Sequence, residues 1–213
     1  MDKQHFTIKQ GLYLVIDPSM PLPILVEKVA AALQGGVDII QIWNYFKEGV
    51  DKAEIIGSIV NLAHKNNVPV LINEDTSLLS LVDGIHFDEI PPDFSRFKQS
   101  LGKHKIIGIT CGNNFSKIEW AVENELDYIS FCSVFPSKSV NTCDLVSRDI
   151  IQKTRAFTQM PIFLSGGIDL NNLPLLKDTG LDGIAVISGI MGTENPALSA
   201  SAYKHALAQL NHI

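Results

Sequence analysis

The sequence has little of what would assign it to a specialised class. Lysine and arginine number 17 against 23 aspartates and glutamates, a net charge of −6, and no basic run interrupts that deficit. Such a balance offers no electropositive face to nucleic acid or anionic lipid, so a small ligand is expected instead. No uncharged apolar stretch approaches the roughly 18 residues needed to cross a bilayer, and residues 1–9 hold no apolar leader core. A cytoplasmic location without membrane contact is therefore expected. Cysteine is scarce: Cys111, Cys132 and Cys143 are odd in number and lack metal-site spacing. Reduced packing thiols are expected rather than a disulfide framework.

What the chain does have is repetition. Four segments share one pattern, VDIIQI at 37–42, VDGIHF at 82–87, LDYISF at 126–131 and LDGIAV at 181–186. Between them stand GLYLVI at 11–16, VPVLIN at 68–73, KIIGIT at 105–110 and MPIFLS at 160–165. All eight are short, almost continuously apolar and rich in β-branched residues, as strands of a parallel sheet covered on its outer face must be. Strands are predicted near 11–17, 37–43, 68–74, 84–87, 105–111, 127–134, 160–166 and 183–188. Helix signals fall between them. Pro23 opens a run to Leu33 that Gly35 and Gly36 close, Asp51 precedes an amphipathic run to Asn67, Ser147 precedes another, and Asn195-Pro196 opens the last. The weakest helical segments are 76–81 and 93–101. Eight strands alternating with eight helices in 213 residues, 46% of them hydrophobic, predict an α/β fold, a single (β/α)8 TIM barrel spanning residues 1–213. A doubly wound open sheet is the alternative. Asp38, Asp83, Asp127 and Asp182 recur at strand starts, the end of a barrel that serves stability, and are read as structural.

Chemistry in such a barrel belongs to the carboxyl ends of the strands. Those positions are Asp17; Gln41, Trp43, Asn44 and Tyr45; Asn73, Glu74 and Asp75; His86, Asp88 and Glu89; Thr110 and Cys111; residues 133–139; Ser165, Gly166 and Gly167; and Ile187, Ser188 and Gly189. The endings LSGGI at 164–168 and VISG at 186–189 leave backbone amides uncovered, which suits a phosphate. His86 is read as a satisfied strand-end histidine. Trp43 and Tyr45 are either a stacking platform for a flat heteroaromatic ligand or the packing that closes the barrel mouth.

GGVDIIQ at 35–41, PVLINED at 69–75, DGIH at 83–86, DYISF at 127–131 with VFPSKS at 134–139, SGGI at 165–168 and DGIAVIS at 182–188 together resemble, in order, the motifs of the thiamin phosphate synthase/TenI family. That resemblance implies a thiamin phosphate synthase of thiamin biosynthesis. Such an enzyme joins an aminopyrimidine methyl diphosphate to a thiazole phosphate with Mg²⁺ and releases diphosphate, so the expected partner is a small phosphorylated heterocycle. It implies substrate contacts from Gln41, Asn73, Ser137, Ser139, Gly166, Gly167, Ile187 and Ser188, a metal-binding and catalytic Glu74, and a catalytic position at Ser133; Trp43, Tyr45 and Thr110 join the substrate-binding candidates by their strand-end positions. The chain departs from the pattern at one end. Trp43 and Tyr45 replace an arginine and a lysine, Val140 replaces a lysine, and Pro91 replaces the second magnesium aspartate. Ser133 stands where tautomerase members carry a histidine. A TenI-like thiazole-phosphate binding or tautomerase protein, or a non-catalytic phosphate-binding barrel, are the alternatives. Apolar residues on the outer helices allow a homodimer.

Overall fold

Each of the eight apolar runs becomes a parallel strand, and the eight close into one barrel in chain order, β8 pairing with β1. The structure, a computed structural model, describes residues 5–101, 105–136 and 144–211. The strands are β1 Gly11–Ile16, β2 Ile39–Ile42, β3 Val70–Asn73, β4 Gly84–Phe87, β5 Ile106–Thr110, β6 Tyr128–Cys132, β7 Ile162–Ser165 and β8 Gly183–Val186. The α-helices are α1 Leu22–Gln34, α2 Lys52–Lys65, α3 Phe94–Ser100, α4 Phe115–Glu123, α5 Arg148–Phe157, α6 Ser188–Met191 and α7 Pro196–Asn211.

Local chemistry explains the helix starts. The Asp51 carboxylate accepts from Glu54 N–H at 3.1 Å, Asn114 Oδ1 from Lys117 N–H at 3.2 Å, Ser147 Oγ from Ile150 N–H at 3.3 Å and Asn195 Oδ1 from Leu198 N–H at 3.0 Å. Two connections differ from the eight-helix expectation. Thr76–Leu81 and Leu173–Leu176 are 3-10 turns. Both are too short to sustain a helical apolar stripe, and Pro174 removes a donor inside the second. An additional short helix, α6, follows β8 directly.

Side chains alternate across each strand. On β1, Leu12, Leu14 and Ile16 face the helices, while Tyr13 and Val15 face inward with Ile8, Ile39, Leu71, Ile106, Tyr128 and Phe163. The outer layer meets helix stripes such as Leu25, Val29, Ala32 and Leu33 of α1. Leu25 and Val29 are fully buried, each worth about 1.5–3 kcal/mol. Inside, the rings of Tyr13, Tyr128 and Phe163 meet edge to face at 5.5–5.9 Å. They fit because glycine lies beneath: a Cβ at Gly108 would sit 2.1 Å from the Tyr128 ring.

At the amino ends of the strands the four repeated aspartates act alike. Asp38, Asp83, Asp127 and Asp182 donate their N–H groups to the carbonyls of Leu12, Val70, Ile107 and Ile162. Their carboxylates accept from the N–H of those same four residues at 2.7–2.8 Å. Each aspartate thus grips one residue of the preceding strand twice. Lys204 of α7, His64 of α2 and Arg155 of α5 reach three of the carboxylates. Removing one carboxylate orphans a strand amide. Asp83→Ala is expected to cost about 1–3 kcal/mol in urea denaturation, and Asp83→Asn, which keeps an acceptor, less.

Candidate functional site

The carboxyl ends of the strands surround a cavity of about 750 Å³. Of the residues expected at the site, Gln41, Trp43, Tyr45, Asn73, Thr110, Gly166, Gly167, Ile187 and Ser188 line it, along with His86, Asp88 and Glu89. Glu74 and Ser133 do not. Ser133 is 3% exposed and donates its hydroxyl to Phe135 O at 3.0 Å, so it braces the turn after β6, while its neighbour Cys132 faces the cavity. Glu74 adopts left-handed backbone, φ 61°, and its carboxylate takes the Asp88 N–H at the rim. Ser137 and Ser139, with Lys138, Val140 and Cys143, lie outside the described residues.

One wall of the cavity is a continuous hydrogen-bonded chain, and its polarity follows from its ends. Gln41 Oε1 only accepts, so the Tyr13 hydroxyl donates to it at 2.7 Å. Tyr13 must then accept from the Tyr128 hydroxyl at 2.8 Å, and Tyr128 from His86 Nδ1–H at 2.8 Å. A neutral imidazole bonded this way presents Nε2 as acceptor, here to the Thr110 hydroxyl at 2.8 Å, and Thr110 in turn accepts from Ser130 at 3.0 Å. Five bonds therefore run one way, from Ser130 to Gln41. The Gln41 Nε2 hydrogens, without a partner among the described residues, are left to the cavity.

Burial keeps His86 neutral by pulling its pKa down to about 4, against the opposing pull of Asp88. The Tyr13 and Tyr128 phenols are pushed above their usual range by the same desolvation. Between pH 6.5 and about 4 the unfolded chain binds a proton at residue 86 that the folded chain refuses. The contribution is whole above pH 6.5 and is lost as pH falls. Denaturation of wild type and His86→Asn across that window should show about 3 kcal/mol of pH-dependent stability in the former that the latter lacks.

On the opposite side, Gly166 and Gly167 carry positive φ of 86° and 67° and line the cavity at the end of β7. Their carbonyls are occupied by Phe135 N–H at 3.1 Å and Asn172 Nδ2 at 2.7 Å. A Cβ at Gly167 would lie 2.5 Å from Pro136 O, so the turn admits glycine alone. Ser188 and Gly189 open α6 alongside, where first-turn amides have no intrahelical acceptor. Together these endings leave backbone amides open at the cavity, an arrangement chemically suited to an anion.

A family model described as thiamine monophosphate synthase, TMP-TENI, matches residues 12–190. The chain belongs to the thiamine monophosphate synthase family. It is 34% identical over 197 residues to a thiamine-phosphate synthase of Prochlorococcus marinus subsp. pastoris, covering 91% of this chain and 54% of that one. It is 30% identical over 202 residues to a thiamine-phosphate synthase of Halorhodospira halophila, covering 94% of this chain and 95% of that one. The chain thus spans about half the length of the first relative and nearly all of the second. A solved thiamine phosphate pyrophosphorylase of Pyrococcus furiosus has the same fold, with a TM-score of 0.78 at 22% identity over 95% of this chain and 97% of that one. No helix among the described residues is long and apolar enough to cross a membrane.

The Mg²⁺ that the family resemblance implies lacks a fitting donor set here. Glu74 is engaged by Asp88 N–H, Asp88 Oδ2 accepts from Asn73 Nδ2 at 3.1 Å, and Pro91 offers no side-chain oxygen. Among the described residues, no three aspartate, glutamate, histidine or cysteine side chains are grouped to hold a metal. A residue that carried no signal in the strand-end motifs lies there instead. Lys117 of α4 is 7% exposed and lines the cavity, bonded to Asp88 O at 2.9 Å and paired with Glu89 at 2.7 Å. Its place in the sequence, one turn before the buried Ala121 and beside the buried Ile118, puts a lysine on the helix's inner stripe. Tyr13 and Tyr128 were equally silent, because inward strand tyrosines read as core.

Proposed function

We propose that this chain is a thiamin phosphate synthase. It would join an aminopyrimidine methyl diphosphate to a thiazole phosphate, with a C–O bond to diphosphate breaking as the thiazole nitrogen forms a C–N bond. The observation that carries this reading is one cavity holding a glycine cradle on one side and, on the other, a glutamine amide fixed by a buried chain. The cradle at Gly166, Gly167 and Ser188 suits the thiazole phosphate. Gln41 offers N–H donors to the edge of a pyrimidine, and Trp43 with Tyr45, their rings 5.3 Å apart, supplies an aromatic wall.

The chemistry asks little proton transfer of the protein. A thiazole nitrogen attacks with its own lone pair, and the departing diphosphate carries the developing charge, so positioning and charge stabilisation supply the catalysis. That demand is consistent with a cavity wall of neutral, fully paired hydroxyls and imidazole, and with a Ser133 that is committed to Phe135 O. A second reading, a barrel that binds thiazole phosphate without turnover, draws support from Trp43, Tyr45 and Pro91 in place of two cations and an acid.

Diphosphate release from the two substrates, followed at high enzyme concentration, separates the two. Stoichiometric diphosphate and thiamin phosphate are expected. Folded protein that turns nothing over, yet gains melting temperature with thiazole phosphate, would replace the synthase with the binding protein. Gly167→Ala should weaken thiazole phosphate by at least about tenfold, roughly 1.4 kcal/mol, in calorimetric titration, because its Cβ cannot fit without distorting the cradle.

A further inference from the structure

Among the described residues Lys117 is the one buried lysine or arginine, and the one that lines the cavity. A buried ammonium is costly unless it is paired. Its pairing here is asymmetric. The Lys117 side chain is 8% exposed, whereas that of Glu89 is 84% exposed. The cation is fixed in place by α4 packing and by its bond to Asp88 O. The anion stands in water on the β4–α3 connection, free to leave at the cost of one solvated contact. Two of the three ammonium hydrogens are used by Asp88 O and Glu89, and the third has no partner among the described residues. An entering anion can therefore take the place of Glu89 without stranding a buried charge.

The location gives this exchange a meaning. Lys117 sits against the β4 ending, beside the Glu74–Asp88 contact, where the donor set does not suit a divalent cation. The glycine cradle lies across the same cavity at β7 and β8. We propose that Lys117 is the second anion-binding group of the site, that it holds the diphosphate end of the ligand by displacing Glu89, and that it does so without Mg²⁺. The inference rests on the reading above that the ligand set brings a diphosphate and a separate phosphate. On that reading, when the C–O bond to diphosphate breaks, the electron pair stays on a diphosphate oxygen, and the Lys117 ammonium is the cation next to it.

Inorganic diphosphate is the probe, titrated calorimetrically into the intact protein in EDTA and in Mg²⁺, with thiazole phosphate as a parallel ligand. Diphosphate should bind with affinities within about twofold in the two buffers. Lys117→Met should weaken it at least about tenfold, about 1.4 kcal/mol, and leave thiazole phosphate unchanged. Glu89→Gln, an exposed change that removes the competing charge, should tighten diphosphate by about threefold. Binding that appears only with Mg²⁺, or that is indifferent to Lys117→Met, overturns the proposal. If Lys117→Met does not fold, the EDTA comparison and Glu89→Gln decide, and a Glu89→Gln protein that binds no better counts against it. Loss of thiazole-phosphate binding in the wild type, with Lys117-dependent diphosphate binding retained, would remove the proposed function and leave this site standing.

Discussion

Four aspartate carboxylates, each gripping one residue of the preceding strand from both sides, are the constraint on which this barrel depends. A parallel strand begins with an amide that the ladder leaves unpaired, and eight strands converging at one end multiply that problem. Asp38, Asp83, Asp127 and Asp182 satisfy alternate strand starts and tie each even strand to its odd neighbour. Side chains of α7, α2 and α5 complete three of them. The fourth, Asp127, is the most exposed of the four: partial desolvation raises its carboxyl pKa, while the Ile107 amide and Lys98 pull it back. With closure secured at the amino ends, the carboxyl ends are left to carry glycine turns, a left-handed glutamate and polar side chains that a stability-bearing face would not tolerate.

The interior then changes character along its length. Ile8, Ile39, Leu71 and Ile106 pack as hydrocarbon, Tyr13, Tyr128 and Phe163 follow as interlocked rings, and the tyrosine hydroxyls pass into the chain that ends at Gln41. Every hydroxyl in that chain finds a partner, so the barrel moves from dry core to ligand site without stranding a polar group. His86, stacked on Tyr128 at 5.6 Å, is neutral because it is buried, and being neutral it can both give and take a hydrogen bond.

The sequence made the barrel legible because closure is written locally. A repeated aspartate, an apolar run and a cap are each contained within a few residues, and their spacing reports eight units. The glycine cradle is local too. What was not legible depends on contacts between distant strands. His86 and Tyr128 are 42 positions apart, and Tyr13 and Tyr128 are 115 apart, so no window contains the chain that fixes Gln41. Glu74 follows a strand end, a position that suggests a side chain facing the site, but its left-handed backbone directs its carboxylate to Asp88 N–H. Ser133 stands just past β6, where its hydroxyl is committed to a carbonyl two residues on. Lys117 lies on a helix face, not at a strand end, and only packing against the β4 ending makes its charge internal.

The one-way chain from Ser130 to Gln41 also makes recognition collective. Turning the Gln41 amide to present its oxygen to the cavity would point its NH₂ at the Tyr13 hydroxyl, and each of the other four bonds would have to reverse, with His86 changing tautomer. A ligand ring that offers an acceptor to residue 41 meets the barrel as it stands. One that offers a donor at the same place asks six side chains to reorient together, so discrimination between an imino nitrogen and a ring N–H is spread through the core rather than resting on one amide.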